Sequence, residues 1–313
     1  MRGGRWVEIF LLGYVDNILA QFCHPQPKIA QDSPHPAPPT KFTRMTPAPT
    51  SPDEPPRLDE KRIKRIQQIY GYILWYMRSF YITTTKALNA IGREQSKAAE
   101  TTKMWSNWLL EYLATHPDAK IQYWQSNMRL LIHSNASFLV EWDAKSNYGG
   151  YFYLGWNQND DEPPKINRAV DVSASLLPLV AISVAEADLG VTFYNAKKGK
   201  VLRLTLEEMG CKQGPTTIFV ENNTASGICN STIKRKRSRS MNGQHFWLID
   251  QVNLNKYRIV WALGLKSLAD YFTKHFAAAH HRNVRPFYVL MHNSPRVIRK
   301  VDKKCQTKKC LHD

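Results

Sequence analysis

The run Thr216-Thr217-Ile218-Phe219-Val220-Glu221-Asn222-Asn223-Thr224-Ala225 decides the fold. Its first five residues are β-branched or aromatic, the signature of a short buried strand. That strand runs straight into an acid and two amides, residue types suited to a turn or a helix cap. Working outward, Tyr257-Arg258-Ile259-Val260-Trp261 reads as a further strand, and Gly149-Gly150-Tyr151-Phe152-Tyr153-Leu154-Gly155-Trp156 as another. Ile121 to Trp124 and Met128 to His133 read as paired strands. A helix is expected over about 184–198, opened by a capping box at Ser183-Val184-Ala185-Glu186. Another is expected from Ser267. Three early strands, then helix, strand, helix, strand and helix describe an α/β domain with a mixed sheet.

In such a sheet, strand ends and helix starts converge at one edge. Asn135 in His133-Ser134-Asn135-Ala136-Ser137, Asp188 in Ala185-Glu186-Ala187-Asp188-Leu189, Glu221 after the buried strand and Asp270 in Leu268-Ala269-Asp270-Tyr271 all fall at those ends. A ring of carboxylates there would hold divalent cations beside a phosphate, because Mg²⁺ is a hard ion that prefers oxygen. Two such ions ~4 Å apart orient a water and stabilise a leaving oxygen. Each residue also has a plainer reading. Asp188 would favour a helix dipole, Glu221 or Asn222 would serve as a turn or cap residue, and Asp270 would be a first-turn acid.

The order of these segments resembles the ribonuclease H portion of a Ty1/copia-type retrotransposon polyprotein. His133 to Ser137 lies where that family has S-D-A, and Ala185 to Leu189 where it has E-A-E and an aromatic or Leu. Glu221 to Ala225 lies where that family has D-N-x-x-A, and Leu268-Ala269-Asp270-Tyr271-Phe272-Thr273-Lys274 matches L-A-D-x-x-T-K. Arg235 to Trp247 is similar to the basic-then-aromatic run before the last strand. Upstream, Tyr70 to Leu113 resembles helices linking polymerase to nuclease, and Val7 to Pro25 the end of a reverse transcriptase thumb.

The resemblance implies a ribonuclease H-like mixed five-stranded sheet with flanking helices over 120–290. It would be preceded by a thumb remnant (1–23), a disordered Pro-rich linker (24–56) and a helical connection region (57–119), and followed by a basic tail (291–313). It also implies Mg²⁺- or Mn²⁺-dependent hydrolysis of RNA in RNA–DNA hybrids. The four acidic positions fall on Asn135, Asp188, Glu221 and Asp270, and only Asp270 keeps the family's residue. Asn offers one neutral acceptor and an NH₂ that turns positive charge toward a cation. Asp188 is one methylene short and Glu221 one methylene long. Metal binding weakened at Asp188, Glu221 and Asp270, and an impaired nuclease, are therefore expected. The alternative is a non-catalytic nucleic-acid-binding protein of retroelement origin.

Composition agrees with such a partner. Across 313 residues, 43 Lys+Arg against 26 Asp+Glu give a formal net charge of +17, suited to a polyanion. Lys234, Arg235, Lys236, Arg237 and Arg239 would grip phosphates, as would Arg296, Arg299, Lys300, Lys303, Lys304, Lys308 and Lys309 of the tail. His275, His280 and His281 follow Asp270 and are assigned no catalytic role. Hydrophobic residues make up 43%, enough for a core.

No apolar run reaches the ~18 residues of a membrane span. Glu8 interrupts the only stretch that imitates a signal peptide, so an intracellular, non-secreted protein is expected. Tyr14-Val15-Asp16-Asn17, which imitates a polymerase metal turn, reads instead as the start of an amphipathic helix carrying Val15, Ile18, Leu19 and Phe22 on one face. Helices are also expected from Leu58-Asp59, over 82–98 and over about 101–115.

Overall fold

The computed structural model describes residues 5–36, 56–141, 145–156, 166–233, 242–264 and 267–291. In chain order its elements are β1 (Trp6–Phe10), α1 (Tyr14–Gln21), α2 (Glu60–Ser79), α3 (Thr85–Glu94), α4 (Glu100–Thr115), β2 (Ala119–Trp124), β3 (Arg129–Ser137) and β4 (Asn147–Gly155). They continue as β5 (Ala169–Leu176), α5 (Val184–Glu208), β6 (Thr216–Val220), α6 (Asn223–Cys229), α7 (Asn242–Asn253), β7 (Tyr257–Trp261), α8 (Ala278–Tyr288) and β8 (Leu290–Met291). The described residues divide into two compact units. One is built on 123–276, the other on 8–36, 56–122 and 277–291.

The second unit is mainly helical. Asp59 caps α2 by accepting from the Arg62 N–H at 2.9 Å, and Ile63, Ile66, Ile69, Ile73 and Met77 form its buried stripe. The stretch 82–98 is shorter as an α-helix than expected: 3₁₀ turns at Ile82–Thr84 and Gln95–Lys97 flank α3. Residues 24–36, read as the start of a free linker, lie against α4. The Trp108 indole donates to the Ser33 carbonyl (2.9 Å), and Asp32 holds His116 (2.8 Å) and Arg282 (2.8 Å). Backbone groups tied to side chains in this way offset the ordering cost that the Pro-rich composition suggests. The rest of the expected linker, 37–55, lies outside the described residues.

The first unit carries the mixed five-stranded sheet with flanking helices that the sequence predicts. Strand order is β5-β4-β3-β6-β7. β3 lies antiparallel to β4, from Arg129 opposite Gly155 to Ser137 opposite Asn147, and β4 lies antiparallel to β5. β6 lies parallel to β3 and to β7, so helical crossovers are required. α5 supplies the first, and α6 and α7 the second. Leu130, Ile132, Phe152, Ile218 and Ile259 of the sheet pack with Leu189 and Ala196 of α5 and Cys229 of α6. Burial there pushes the Cys229 thiol up to about 12.

Four further expectations are corrected. Ile121–Trp124 does not pair with β3. β2 runs antiparallel to β8 instead, and the Asn167 side chain takes both the N–H (3.0 Å) and the carbonyl (2.9 Å) of Trp124. The third antiparallel strand is β5, to which the sequence reading assigns no element. It is an edge strand of small and polar residues, so no apolar run announces it. Ser267 opens no helix. Leu268, Ala269, Tyr271, Phe272 and Thr273 are all buried, which leaves no solvent face for a helix, and the segment forms only a 3₁₀ turn at Asp270–Phe272. α5 also runs ten residues beyond its expected end at 198, to Glu208. Its last turns are fixed by buried Arg203, which donates to the Gln213 carbonyl (2.9 Å) and pairs with Glu207 (3.0 Å).

Two adjacent glycines let both sheet faces be approached closely. A Cβ on Gly149 would lie 2.5 Å from the Ala269 carbonyl oxygen, and one on Gly150 would lie 2.4 Å from Asn195 Oδ1. Gly149 stands opposite Asn135 in the β3–β4 register, so the segment 269–273 can settle directly over Asn135. Gly149→Ala is therefore expected to destabilise this unit by about 1–3 kcal/mol through overpacking, measured as a lower urea midpoint with an unchanged slope. An unchanged midpoint would mean that the segment is not held against β4.

Candidate functional site

The segment 268–274 brings Asp270 to β3. The Asn135 amide donates to Asp270 Oδ1 at 2.9 Å and to Thr273 Oγ1 at 3.3 Å. Lys274 Nζ reaches the same Asp270 oxygen at 2.5 Å. The Thr273 carbonyl accepts from Ser137 Oγ (3.0 Å) and from the Asn147 amide (3.3 Å), so β3 and β4 both pin the segment.

Asp188 arrives from the first turns of α5, where its Oδ1 accepts the Ala136 N–H at 3.1 Å. Asn222 caps α6 by accepting from the Ala225 N–H (3.2 Å), and its side chain also hydrogen-bonds Asp188. Burial raises the Asp188 carboxyl to about 6; the bonds from Asn222 and Ala136 pull the other way. Glu221 follows β6 and is raised chiefly by burial and next by the charge of Asp270. Lys274 lowers both Asp188 and Glu221. The four positions read from the sequence thus converge at the carboxyl ends of β3 and β6.

Other sequence candidates fall elsewhere. Glu186 Oε2 accepts the Ile182 N–H (3.0 Å) while Ser183 Oγ accepts from Glu186 N–H (3.2 Å), so Glu186 serves the helix start. His280 and His281 belong to α8 in the other unit. Lys234, Arg235, Lys236, Arg237 and Arg239, and the basic tail residues, lie outside the described residues. Reading the sequence as a set of acids leaves the partners of those acids without roles. Asn222, Thr273 and Lys274 stand in the quoted motifs, and the four-residue spacing of Asp270 and Lys274 was available as an ion-pair signal. Trp261, whose indole donates to the Glu221 carbonyl at 2.9 Å, had no sequence signal beyond an aromatic at a strand end.

A divalent cation needs convergent oxygens and no competing positive charge. Here the Asn135 NH₂ and the Lys274 ammonium both occupy Asp270 Oδ1. Among the described residues, no group of three or more His, Cys, Asp or Glu could hold a metal ion. The residues present do not fit a pair of Mg²⁺ ions. What remains is a site with one buried and one half-buried carboxyl, Asp188 and Glu221, both raised by burial, and a third, Asp270, paired with a lysine.

No family model matches the chain, and no curated protein matches it. Solved structures similar to it are RNase H domains. The N-terminal RNase H domain of a Mycobacterium tuberculosis protein, solved as a fusion with maltose binding protein, is 8% identical with a TM-score of 0.33, covering 46% of this chain and 95% of that one. LC11-RNase H1 from compost, in complex with an RNA/DNA hybrid, is 9% identical with a TM-score of 0.33, covering 46% and 93%. RNase H1 from Halobacterium salinarum is 6% identical with a TM-score of 0.30, covering 46% and 94%. What the pocket can do is set by this chain's own residues. Among the described residues, no helix is long and apolar enough to cross a membrane.

Two groups beside the pocket titrate in opposition. His133, whose Nδ1 accepts the Leu268 N–H at 3.3 Å, is lowered by burial to about 4. Between about 4 and 6.5 the unfolded chain holds its proton and the folded one does not, so His133 makes stability rise with pH. Asp188 has the reverse sign: between 3.8 and about 6 the folded chain holds the extra proton, so stability falls as pH rises. Each is worth on the order of 3 kcal/mol, and they largely cancel. Asp188→Asn should therefore steepen the rise in unfolding free energy from pH 4.5 to 6.5, and His133→Gln should reverse it. Denaturant titrations at the two pH values measure both; parallel pH profiles for wild type and variants would contradict the assignment.

Proposed function

We propose that the chain is a nucleic-acid-binding protein of retroelement origin, built on a ribonuclease H-like sheet whose pocket binds without cutting. The motif order His133–Ser137, Ala185–Leu189, Glu221–Ala225 and Leu268–Lys274 supports that origin. On the same reading, 1–23 derives from a reverse transcriptase thumb and 57–119 from the helices after it. The observation that carries the loss of cleavage is the pair of donors on one Asp270 oxygen, the Asn135 amide and the Lys274 ammonium. Both donors would compete with a cation for that oxygen. A net charge of +17 and the clusters at 234–239 and 296–309 favour a polyanion held by phosphate contacts. An RNA–DNA hybrid is the partner that the resemblance indicates.

The test is binding and cleavage of a labelled hybrid, followed by anisotropy and by gel. Wild type should bind with strong salt dependence and leave the RNA strand intact in Mg²⁺ or Mn²⁺. Replacing Lys234, Arg235, Lys236, Arg237 and Arg239 with Gln should reduce the slope of log K against log salt by at most about 4.5, at ~0.9 per phosphate contact. Cleavage by wild type that chelator abolishes would overturn the non-catalytic reading. Metal-dependent cleavage that appears only in Asn135→Asp would support descent from a nuclease disabled at that position.

A further inference from the structure

Trp261 ends β7, directly beside the pocket. Its place is fixed from two sides: it stands opposite Val220 in the β6–β7 ladder, and the next residue, Ala262, donates its N–H to the Val220 carbonyl at 2.9 Å. The indole N–H, the ring's one polar atom, is spent on the Glu221 carbonyl at 2.9 Å. The chain then turns back over Glu221, and a Cβ on Gly264 would lie 3.0 Å from Glu221 Oε2. Yet 47% of Trp261 remains exposed, and Leu263 two residues on is 55% exposed. Tyr257 and Ile259, on the same face of β7, are buried. The large ring that could complete that core is instead turned outward at the strand end.

An aromatic ring held by its own N–H and left open to solvent loses little entropy when a flat partner stacks on it. Such a ring suits a nucleobase or the apolar face of a sugar. The charge of the chain selects the polyanion to which that base belongs: +17 overall, with the exposed Lys274 paired to Asp270 at the site. The geometry points to Trp261 as a stacking platform for one nucleotide of a bound strand, seated at the lip of the pocket next to Glu221. This assignment rests on the nucleic-acid-binding reading and adds to it the residue that contacts a base or sugar. Stacking uses a face that every base has, so the contact is indifferent to sequence.

The experiment compares wild type, Trp261→Phe, Trp261→Leu and Trp261→Ala for binding of fluorescein-labelled single-stranded DNA, single-stranded RNA and RNA–DNA hybrid. Thermal melts establish that each variant is folded. Trp261→Leu, which keeps apolar bulk without a π face, should bind about tenfold more weakly. Trp261→Phe lacks the indole N–H but keeps a ring, and should recover most of the affinity. The loss should be the same at low and high salt, because stacking releases no counterions. In wild type, saturating unlabelled oligonucleotide should quench a component of tryptophan emission that is missing from the Trp261→Phe protein.

Equal affinities for wild type and Trp261→Leu would overturn the platform while leaving the binding function standing. So would Trp261→Phe failing as badly as Leu, since that pattern belongs to a hydrogen bond that merely positions Glu221. If wild type binds none of the three oligonucleotides, the binding function itself fails, a result distinct from the other two.

Discussion

The pocket depends on how closely the Ala269–Thr273 segment can approach β4. Only a residue without a side chain at 149 leaves room for the Ala269 carbonyl, and the next glycine gives the same freedom to Asn195 on the opposite face. Asn195, fully buried, uses that approach to donate to Ser134 Oγ (2.9 Å) and to the Gly149 carbonyl (2.9 Å). α5 is thereby locked to the same two strands that carry the 3₁₀ turn. Asp188 comes with α5, Asp270 with the turn, and Asn135 lies between them. Close packing on both faces of one sheet brings three distant parts of the sequence together.

Within that frame, the amide at 135 changes the chemistry of its neighbours. Carboxylates crowded together repel, and they are held in place by cations, by burial or by hydrogen bonds. Here the Asn135 NH₂ and Lys274 satisfy Asp270, while Asn222 and the Ala136 N–H satisfy Asp188. Every donor is part of the chain. These donors hold the carboxyls in place within the fold. Of these donors only the Lys274 ammonium carries charge, and it offsets that of Asp270.

Much of this was legible in the sequence, for reasons that differ by element. β6 and β7 are short, apolar and buried, and their runs stand out. α2 shows its stripe and α5 its capping serine. β5 did not stand out, because an edge strand of Asp171, Ser173 and Ser175 has no pattern to read. The segment at Asp270 is compatible with a helix on sequence alone, because Leu, Ala, Tyr and Phe suit one until their burial is known. Strand partners were the hardest to infer: Trp124 and Met128 are near neighbours in sequence, but Asn167 takes the backbone of Trp124 and prevents a hairpin. At the site, the positions could be read by matching motifs one residue at a time. The partners that neutralise them could not, since hydrogen-bond donors are assigned only once distances exist.

Cys229, at the end of α6 beneath β7, gives this unit an internal clock. A thiol whose ionisation is pushed up to about 12 by its apolar surroundings holds almost no thiolate at neutral pH, so it stays silent toward disulfide reagents while the core is closed. Cys23, by contrast, is exposed and Cys211 is partly so. Modification of Cys229 must wait for α6 to lift from the sheet, and its rate counts those openings directly.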